Sequence, residues 1–195
     1  MGRFGDDAGQ TVGIYIVAIG ALFFLAFAYF AVGQAAVTRN GAQTAADAAA
    51  LAAARENRDD VQEAFLAALK GDDVTALARL LESASLDDLA ACGAASDYAD
   101  ANDARVDDCV PLDGKPGYTV TVMTNGTVGS SVIDSTKDTH AMATATAVVE
   151  PRCSLGAKDG DLLRFTCDGG PLEVDPKAGD FTLDLSDFFT VHLAK

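Results

Sequence analysis

Residues 11–54 read TVGIYIVAIGALFFLAFAYFAVGQAAVTRNGAQTAADAAALAAA, and this stretch decides how the rest of the chain is organised. Its first half is apolar on every side, and no charged residue occurs between Asp7 and Arg39. The apolar core, residues 12–32, has about 21 residues, which is the length that an α-helix needs to cross a bilayer. The second half is rich in alanine. We therefore predict one long helix over residues 11–56, half of it in lipid and half outside.

The rest of the 195-residue chain is long enough for one domain with its own core. Its net charge of −15 argues against binding nucleic acid or anionic lipid headgroups through bulk electrostatics, so we expect no nucleic-acid partner. Such an acidic balance is typical of an exported domain that must stay soluble. Tryptophan is absent and aromatic residues make up only 7%. The soluble core must therefore consist mainly of alanine, valine and leucine.

All four cysteines follow the apolar segment: Cys92, Cys109, Cys153 and Cys167. An even number on one side of a membrane predicts two disulfides in an oxidising compartment. Three connectivities are open, and we predict pairing in sequence order, because it closes the shortest loops. Metal binding is the competing interpretation. It lacks a Cys-x-x-Cys motif, and His140 and His192 stand far from the cysteines in sequence.

The apolar segment differs from a secretory signal peptide, whose apolar run is usually about 7–15 residues long and follows basic residues. Here the run is longer, Arg3 alone precedes it, and Asp6 and Asp7 intervene. We therefore predict a retained single-pass anchor in contact with membrane lipid. Arg3 on one side and Arg39 on the other leave the positive-inside rule undecided. The cysteines indicate that the C-terminal domain is extracytoplasmic.

We divide the chain into four regions: a leader at 1–10, the long helix at 11–56, a helical segment with an acidic disulfide loop at 57–116, and a β domain at 117–195. In the third region, Asp59 or Asp60 would cap a helix that buries Val61, Phe65 and Leu69 and stops at Gly71. The alternative is one continuous helix that bends at this polar patch.

Two more helices are expected in the same region. One would start at an Asp72 or Asp73 cap and run through Leu81, and another would span about 86–95. Residues 96–108, SDYADANDARVDD, would form an acidic loop that a Cys92–Cys109 bridge closes.

From Gly117 the hydrophobic period changes from 3.6 to 2, which indicates strands. Residues 118–124 form the first, Asn125-Gly126 predicts a hairpin turn, and TVGSSVID, residues 127–134, is a candidate return strand. Residues 140–151 alternate most clearly, with one face made of alanine, and the alanine-rich helix is the obvious partner for that face. Shorter strands are expected at 162–167, 172–174, 181–183 and 188–193. The fold class is α+β, with a long helix packed on a small antiparallel β domain that disulfides staple.

The sequence carries no convincing catalytic pattern. His140 and His192 lack a nucleophile at a recognisable spacing and are typical of structural or surface histidines, so we expect neither an enzyme nor a cofactor. Paired aspartates at 59–60, 72–73, 87–88 and 107–108 suggest calcium, but three pairs lie where helices should begin, and capping explains them. The cluster at 97, 100, 103, 107 and 108 lacks the spacing of an EF-hand. We predict no metal site.

A Q-x-A-A-D-A-A-A-L-A-x-A segment follows the apolar run directly. In this position it resembles the TadE/TadG-like proteins of the tight-adherence (Flp-type) pilus assembly system, in the style of their actinobacterial members. The matching residues are Gln43, Ala45, Ala46, Asp47, Ala48, Ala49, Ala50, Leu51, Ala52 and Ala54.

The resemblance implies a membrane-anchored minor pilin or pseudopilin-like assembly component, structural rather than catalytic. Its partners would be other pilus or assembly-platform proteins. Alanines recur every seven residues, and such a stripe would favour lateral self-association of the helix: Ala21, Ala28, Ala35, Ala42 and Ala49. The location would be the cytoplasmic membrane or the cell surface. The alternative is a membrane-anchored extracytoplasmic binding or sensor module.

The resemblance also implies a processing site. Pseudopilin leaders are cut after a glycine, and Gly9 is the candidate, which would make Gln10 the new N-terminus. This chain departs from the pattern at the fifth mature position, where Ile14 replaces the usual glutamate. We therefore favour an anchor that is not processed.

Overall fold

One helix, α1, runs from Ala8 to Asp60 in the computed structural model, which describes residues 8–71, 73–82, 88–127, 138–179 and 181–194. At about 1.5 Å per residue, its 53 residues extend roughly 80 Å. The sequence between these ends contains no proline, and alanine, its commonest residue in the second half, is the best helix former. The helix therefore begins three residues earlier and ends four residues later than the sequence pattern predicted.

The next helix, α2, spans Gln62–Lys70 and follows α1 after a single residue, Val61. No side chain caps α2, so the predicted capping box at Asp59 or Asp60 is wrong. The reason is that α1 continues through Asp60, and the Val61 carbonyl accepts the Phe65 N–H at 2.8 Å. The alternative of one helix bent at this patch is closer to the structure. The predicted face of Val61, Phe65 and Leu69 is fully buried, as expected.

Helix α3, Val74–Glu82, begins as predicted, because the Asp73 carboxylate accepts the Ala76 N–H at 2.9 Å. Helix α4 spans Asp88–Asp100 and so continues five residues past the predicted end. Its alanines at 91, 95 and 99 recur at helical spacing and are fully buried. The predicted acidic loop is therefore wrong over 96–108, which is the end of α4, a short turn and the start of a strand.

Within the described residues, seven strands form two antiparallel sheets. The larger sheet has the order β1-β2-β3-β7, made of Ala104–Pro111, Gly117–Thr127, His140–Pro151 and Phe189–Leu193. The smaller sheet has the order β4-β5-β6, made of Cys153–Asp159, Leu162–Cys167 and Gly170–Val174.

Three details of the strands differ from the sequence-based expectation. Asn125-Gly126 is not a turn, because the Asn125 N–H donates to the Asp103 carbonyl at 2.8 Å and β2 continues to Thr127. Most of the predicted return strand lies outside the described residues. Strands β1 and β4 were not predicted, and residues 181–183 are not a strand.

Helix α1 packs its alanine-rich half on the inner face of the larger sheet, against β2 and β3, and alongside α4. The sheet's inner face consists of Tyr118, Val120 and Val122 on β2, and Ala145, Ala147 and Val149 on β3. The predicted contact between the alanine helix and the alanine face of β3 is thus confirmed. Methyl-sized side chains on both surfaces allow a close approach of helix and sheet.

The two disulfides follow sequence order and each joins neighbouring elements. Cys92–Cys109 links α4 to β1, and Cys153–Cys167 links β4 to β5.

An aromatic cluster connects the small sheet to the rest of the core, since the Phe188 ring lies 4.9 Å from the Phe65 ring and 5.0 Å from the Phe165 ring, centroid to centroid. The result is one α+β domain at the end of a long helix.

Candidate functional site

The first half of α1 is an apolar surface that the domain leaves uncovered. Ile14 is 67% exposed, Phe24 is 73% exposed and Tyr29 is 84% exposed. The helix is long and apolar enough to cross a membrane, and none of its most apolar window is buried. Because exposed apolar area costs roughly 25 cal/mol per Å² in water, a surface of this extent indicates contact with lipid or with other proteins.

The second half of α1 is in the opposite environment. From Ala42 onward most of its alanines are buried, and several have no exposed area at all: Ala42, Ala45, Ala46, Ala49, Ala50, Ala53 and Ala54. The alanines that recur every seven residues therefore lie in two different environments. Ala42 and Ala49 pack inside the domain, whereas Ala21, Ala28 and Ala35 face outward on the uncovered half.

The motif residues divide in the same way between packing and polar positions. Ala45, Ala46 and Ala49 are buried, and Leu51 is partly buried against the core. Gln43 is exposed and Asp47 is half-buried. The Gln43 side-chain amide donates to the Asp47 carboxylate at 2.8 Å, across one turn of the helix.

This polar pair lies at the rim of an open groove that no sequence pattern indicates. The groove runs between α1 and the larger sheet, and its other lining residues are Thr144, Ala145, Thr146, Leu193 and Ala194. It exists because β7 ends at Leu193, opposite Ala147, while β3 continues to His140. This difference in length between β3 and β7 could not be predicted, because the two strands are distant in the chain and no local pattern in one reports the length of the other.

The candidate processing site lies at the start of the same helix. The backbone of Gly9 and Gln10 is in the first turns of α1, and Ile14 follows on the uncovered apolar half. The seven residues before Ala8 lie outside the described residues.

The histidines take part in the sheet. The His140 Nδ1 is 2.7 Å from the Thr124 carbonyl oxygen, which belongs to the neighbouring strand. The His192 Nε2 lies 3.8 Å from a Glu150 carboxylate oxygen across the β3–β7 pair. Within the described ranges, no three His, Cys, Asp or Glu side chains come together in a way that could hold a metal ion.

The carboxyl group of Asp184 has a perturbed pKa. Hydrogen bonds from the Ser186 side chain and then from its backbone N–H, the latter 2.8 Å from the carboxylate, hold the pKa of Asp184 below its usual value. Asp184 caps the 3₁₀ turn Leu185–Asp187, which leads into the buried Phe188. Its role is structural, since it fixes the approach of the chain to β7.

Residues 9–56 match the model of a protein family described as "Putative Flp pilus-assembly TadE/G-like". The match begins at the candidate processing site and ends near the end of α1, so it covers both the uncovered half and most of the buried half. The resemblance expected from the Q-x-A-A-D segment is confirmed. No curated protein and no solved structure matches the chain.

Proposed function

We propose that this chain is a structural, minor pilin or pseudopilin-like component of a Tad/Flp-type pilus assembly system. The observation that carries the proposal is the family match over a single helix whose two halves have opposite environments. A pilus-assembly role accounts for both halves. The apolar half contacts membrane lipid and neighbouring helices, and the buried half holds the domain rigidly to the anchor.

The membrane position follows from the exposure pattern. Residues 12–32 lie in the bilayer of the cytoplasmic membrane, and Tyr29 and Phe30 lie near its outer boundary, where aromatic side chains are favoured. Arg39 is the first charged residue beyond this boundary. The domain buries α1 from Ala42, about three and a half turns after Tyr29, and Thr127 at the end of β2 lines one cavity with Tyr29 and Thr38. The domain therefore stands directly above the membrane surface.

The disulfides support an extracytoplasmic orientation for the domain. Both bridges lie beyond the apolar half, and disulfides persist in oxidising compartments rather than in the cytosol. The chain thus crosses the cytoplasmic membrane once, with its domain outside the cell or within the pilus base.

Lateral contacts with other pilus proteins use the uncovered half of α1. Ala21, Ala28 and Ala35 lie on it at seven-residue spacing and are not used by the domain. Small side chains permit the close approach of two helices in lipid, where dispersion contacts drive association. The same surface serves self-association and association with assembly-platform proteins.

The anchor is retained after insertion. Ile14 replaces the carboxylate that pilin-like substrates carry at the fifth mature position, so a cut between Gly9 and Gln10 would produce an N-terminal amine without that partner. We infer that most molecules keep the leader.

The test combines location with processing. Mass spectrometry of the native chain, taken from washed membranes and from sheared surface material, should find an intact N-terminus and no free thiols in the membrane fraction. A soluble chain, or four cysteines that react before reduction, would contradict the proposal. A mature chain that starts at Gln10 would contradict only the retained leader.

A second candidate is a membrane-anchored extracytoplasmic binding or sensor module, and the groove beside Gln43 and Asp47 favours it. Gene neighbourhood distinguishes the two. A secretion ATPase and two polytopic membrane proteins encoded nearby support the pilus role, whereas a kinase or transporter supports the second.

A further inference from the structure

The larger sheet has an incomplete ladder on the far side of β3. Strand β7 pairs with β3 only between Ala147 and Pro151, and the Ala194 N–H adds one bond to the Thr146 carbonyl at 2.8 Å. Strand β3 extends beyond this point to His140. Its first half therefore has β2 on one side and, within the part of the chain that the structure describes, no strand on the other.

The ladder shows which backbone groups point to the open side. The Val149 N–H donates toward β2, to the Pro116 carbonyl at 2.9 Å, and the Thr146 carbonyl accepts from the β7 side. Because backbone groups alternate along a strand, odd-numbered residues of β3 bond to β2 and even-numbered residues face the β7 side. The N–H and C=O of Met142 and Thr144 thus face the open side.

Two residues of the Q-x-A-A-D segment form the other wall of the groove. Gln43 and Asp47 of α1 face Thr144, Ala145 and Thr146 across the groove. The Asp47 Oδ1 accepts the Gln43 amide, which leaves its second oxygen for another donor. Among the described residues that line the groove, Asp47 is the only ionisable one.

The opposite edge of the sheet, on β1, is protected against pairing. It carries exposed Asp107 and Asp108, a register irregularity between Val106 and Asp108, and Pro111, which has no N–H. These are the devices by which proteins prevent unwanted strand addition. The open half of β3 has none of them, since residues 141–146 contain no charge and no proline and pair with β2 regularly up to Met142.

We propose that this groove binds an extended, basic segment of a partner protein, which adds to β3 as a short antiparallel strand. Extended backbone is the ligand that complements a row of unpaired N–H and C=O groups. Its inward-facing side chains must be small, because they lie beside Ala145 on the face of the sheet that α1 covers. A lysine or arginine pairs with Asp47, and the net charge of −15 disfavours a second copy of this chain as the occupant.

The test uses the full chain in nanodiscs of zwitterionic lipid and a labelled peptide, KATATAK, with binding followed by fluorescence anisotropy. Thr144→Pro removes the outward N–H, whereas Thr144→Val keeps it and removes only the hydroxyl. We expect the proline variant to bind about three- to tenfold more weakly and the valine variant to bind nearly as the wild type, because a single neutral hydrogen bond has about this value. Asp47→Asn should weaken binding and reduce its dependence on salt.

A second arm keeps the proposal testable if Thr144→Pro does not fold. Peptide KATATAK with alternate N-methylated amides, and the acidic peptide EATATAE, should both lose binding to the wild-type chain. Equal binding of either peptide, or no binding of KATATAK, would overturn the proposal. It would also be overturned if the chain self-associates with concentration and Thr144→Pro disperses it, because the occupant would then be a second copy. The inference does not depend on the pilus assignment.

Discussion

The two halves of α1 are continuous in backbone and both rich in apolar residues, yet they lie in opposite surroundings. Residues 12–32 keep large apolar side chains exposed, and residues 42–54 bury alanines almost completely. The difference lies in side-chain size. Large residues cover a helix all round and suit a fluid apolar solvent, whereas alanine lets a sheet and a second helix approach the backbone. Hydrophobicity alone therefore does not identify the buried half of a helix.

The largest expected effect comes from a charge in the uncovered half. Leu25→Arg should cost about 3 kcal/mol of membrane insertion, because arginine at the centre of a transmembrane helix is unfavourable by that amount. Alkaline extraction of membranes measures the loss of anchoring. The thermal unfolding of the domain in detergent should be unchanged, and a domain that unfolds earlier would mean that this half also packs on it.

A comparable effect, confined to the domain that covers the buried half of α1, is expected from removal of the disulfide between α4 and β1. Cys92→Ser with Cys109→Ser should lower the free energy of unfolding by roughly 3 kcal/mol in the loop-entropy account. Denaturant titration measures the change. The amount of chain that alkaline extraction releases from membranes should not change. Cys153→Ser with Cys167→Ser, which removes the bridge of the small sheet instead, is the matched variant for comparison.

An alanine-to-leucine substitution in each half of α1 tests the difference in packing most directly. Ala49→Leu should destabilise the domain by about 1–3 kcal/mol, because the added atoms have no space between α1 and the sheet. Ala28→Leu is the control at an equivalent position of the same stripe on the uncovered half, and it should leave domain stability unchanged. If the two variants unfold alike, the halves do not differ in packing.

The smallest expected effect is a change in the stability of the domain at acidic pH. The folded pKa of Asp184 is lowered, so its contribution to stability is present above the unfolded value of 3.8 and is lost as the pH falls through the folded pKa. Asp184→Asn should therefore show a slightly weaker loss of stability below about pH 4 than the wild type. Residues 8–38 carry no charged side chain, so anchoring should not change over this range. A parallel loss of anchoring would contradict that separation.

Prediction from sequence was accurate where the pattern was local. The alternation of residues 140–151 identified β3 and its alanine face, and the Val61, Phe65 and Leu69 spacing identified the buried face of α2. It failed where a local signal competed with packing. Asn125-Gly126 is a strong turn signal, yet pairing with Asp103 keeps it extended, and the aspartates of 96–100 did not end α4 because its alanine face is buried against α1.

The amino-acid sequence is enough to predict the long helix, the division between its strongly apolar and alanine-rich halves, the family resemblance and the oxidised cysteines. These follow from composition and from periods of a few residues, which are local properties of the chain. The folded structure is needed to show which alanines are covered and that Gln43 and Asp47 border an open strand edge. Both depend on where β7 ends relative to β3, and contacts between segments so distant in the chain leave no trace in either segment alone.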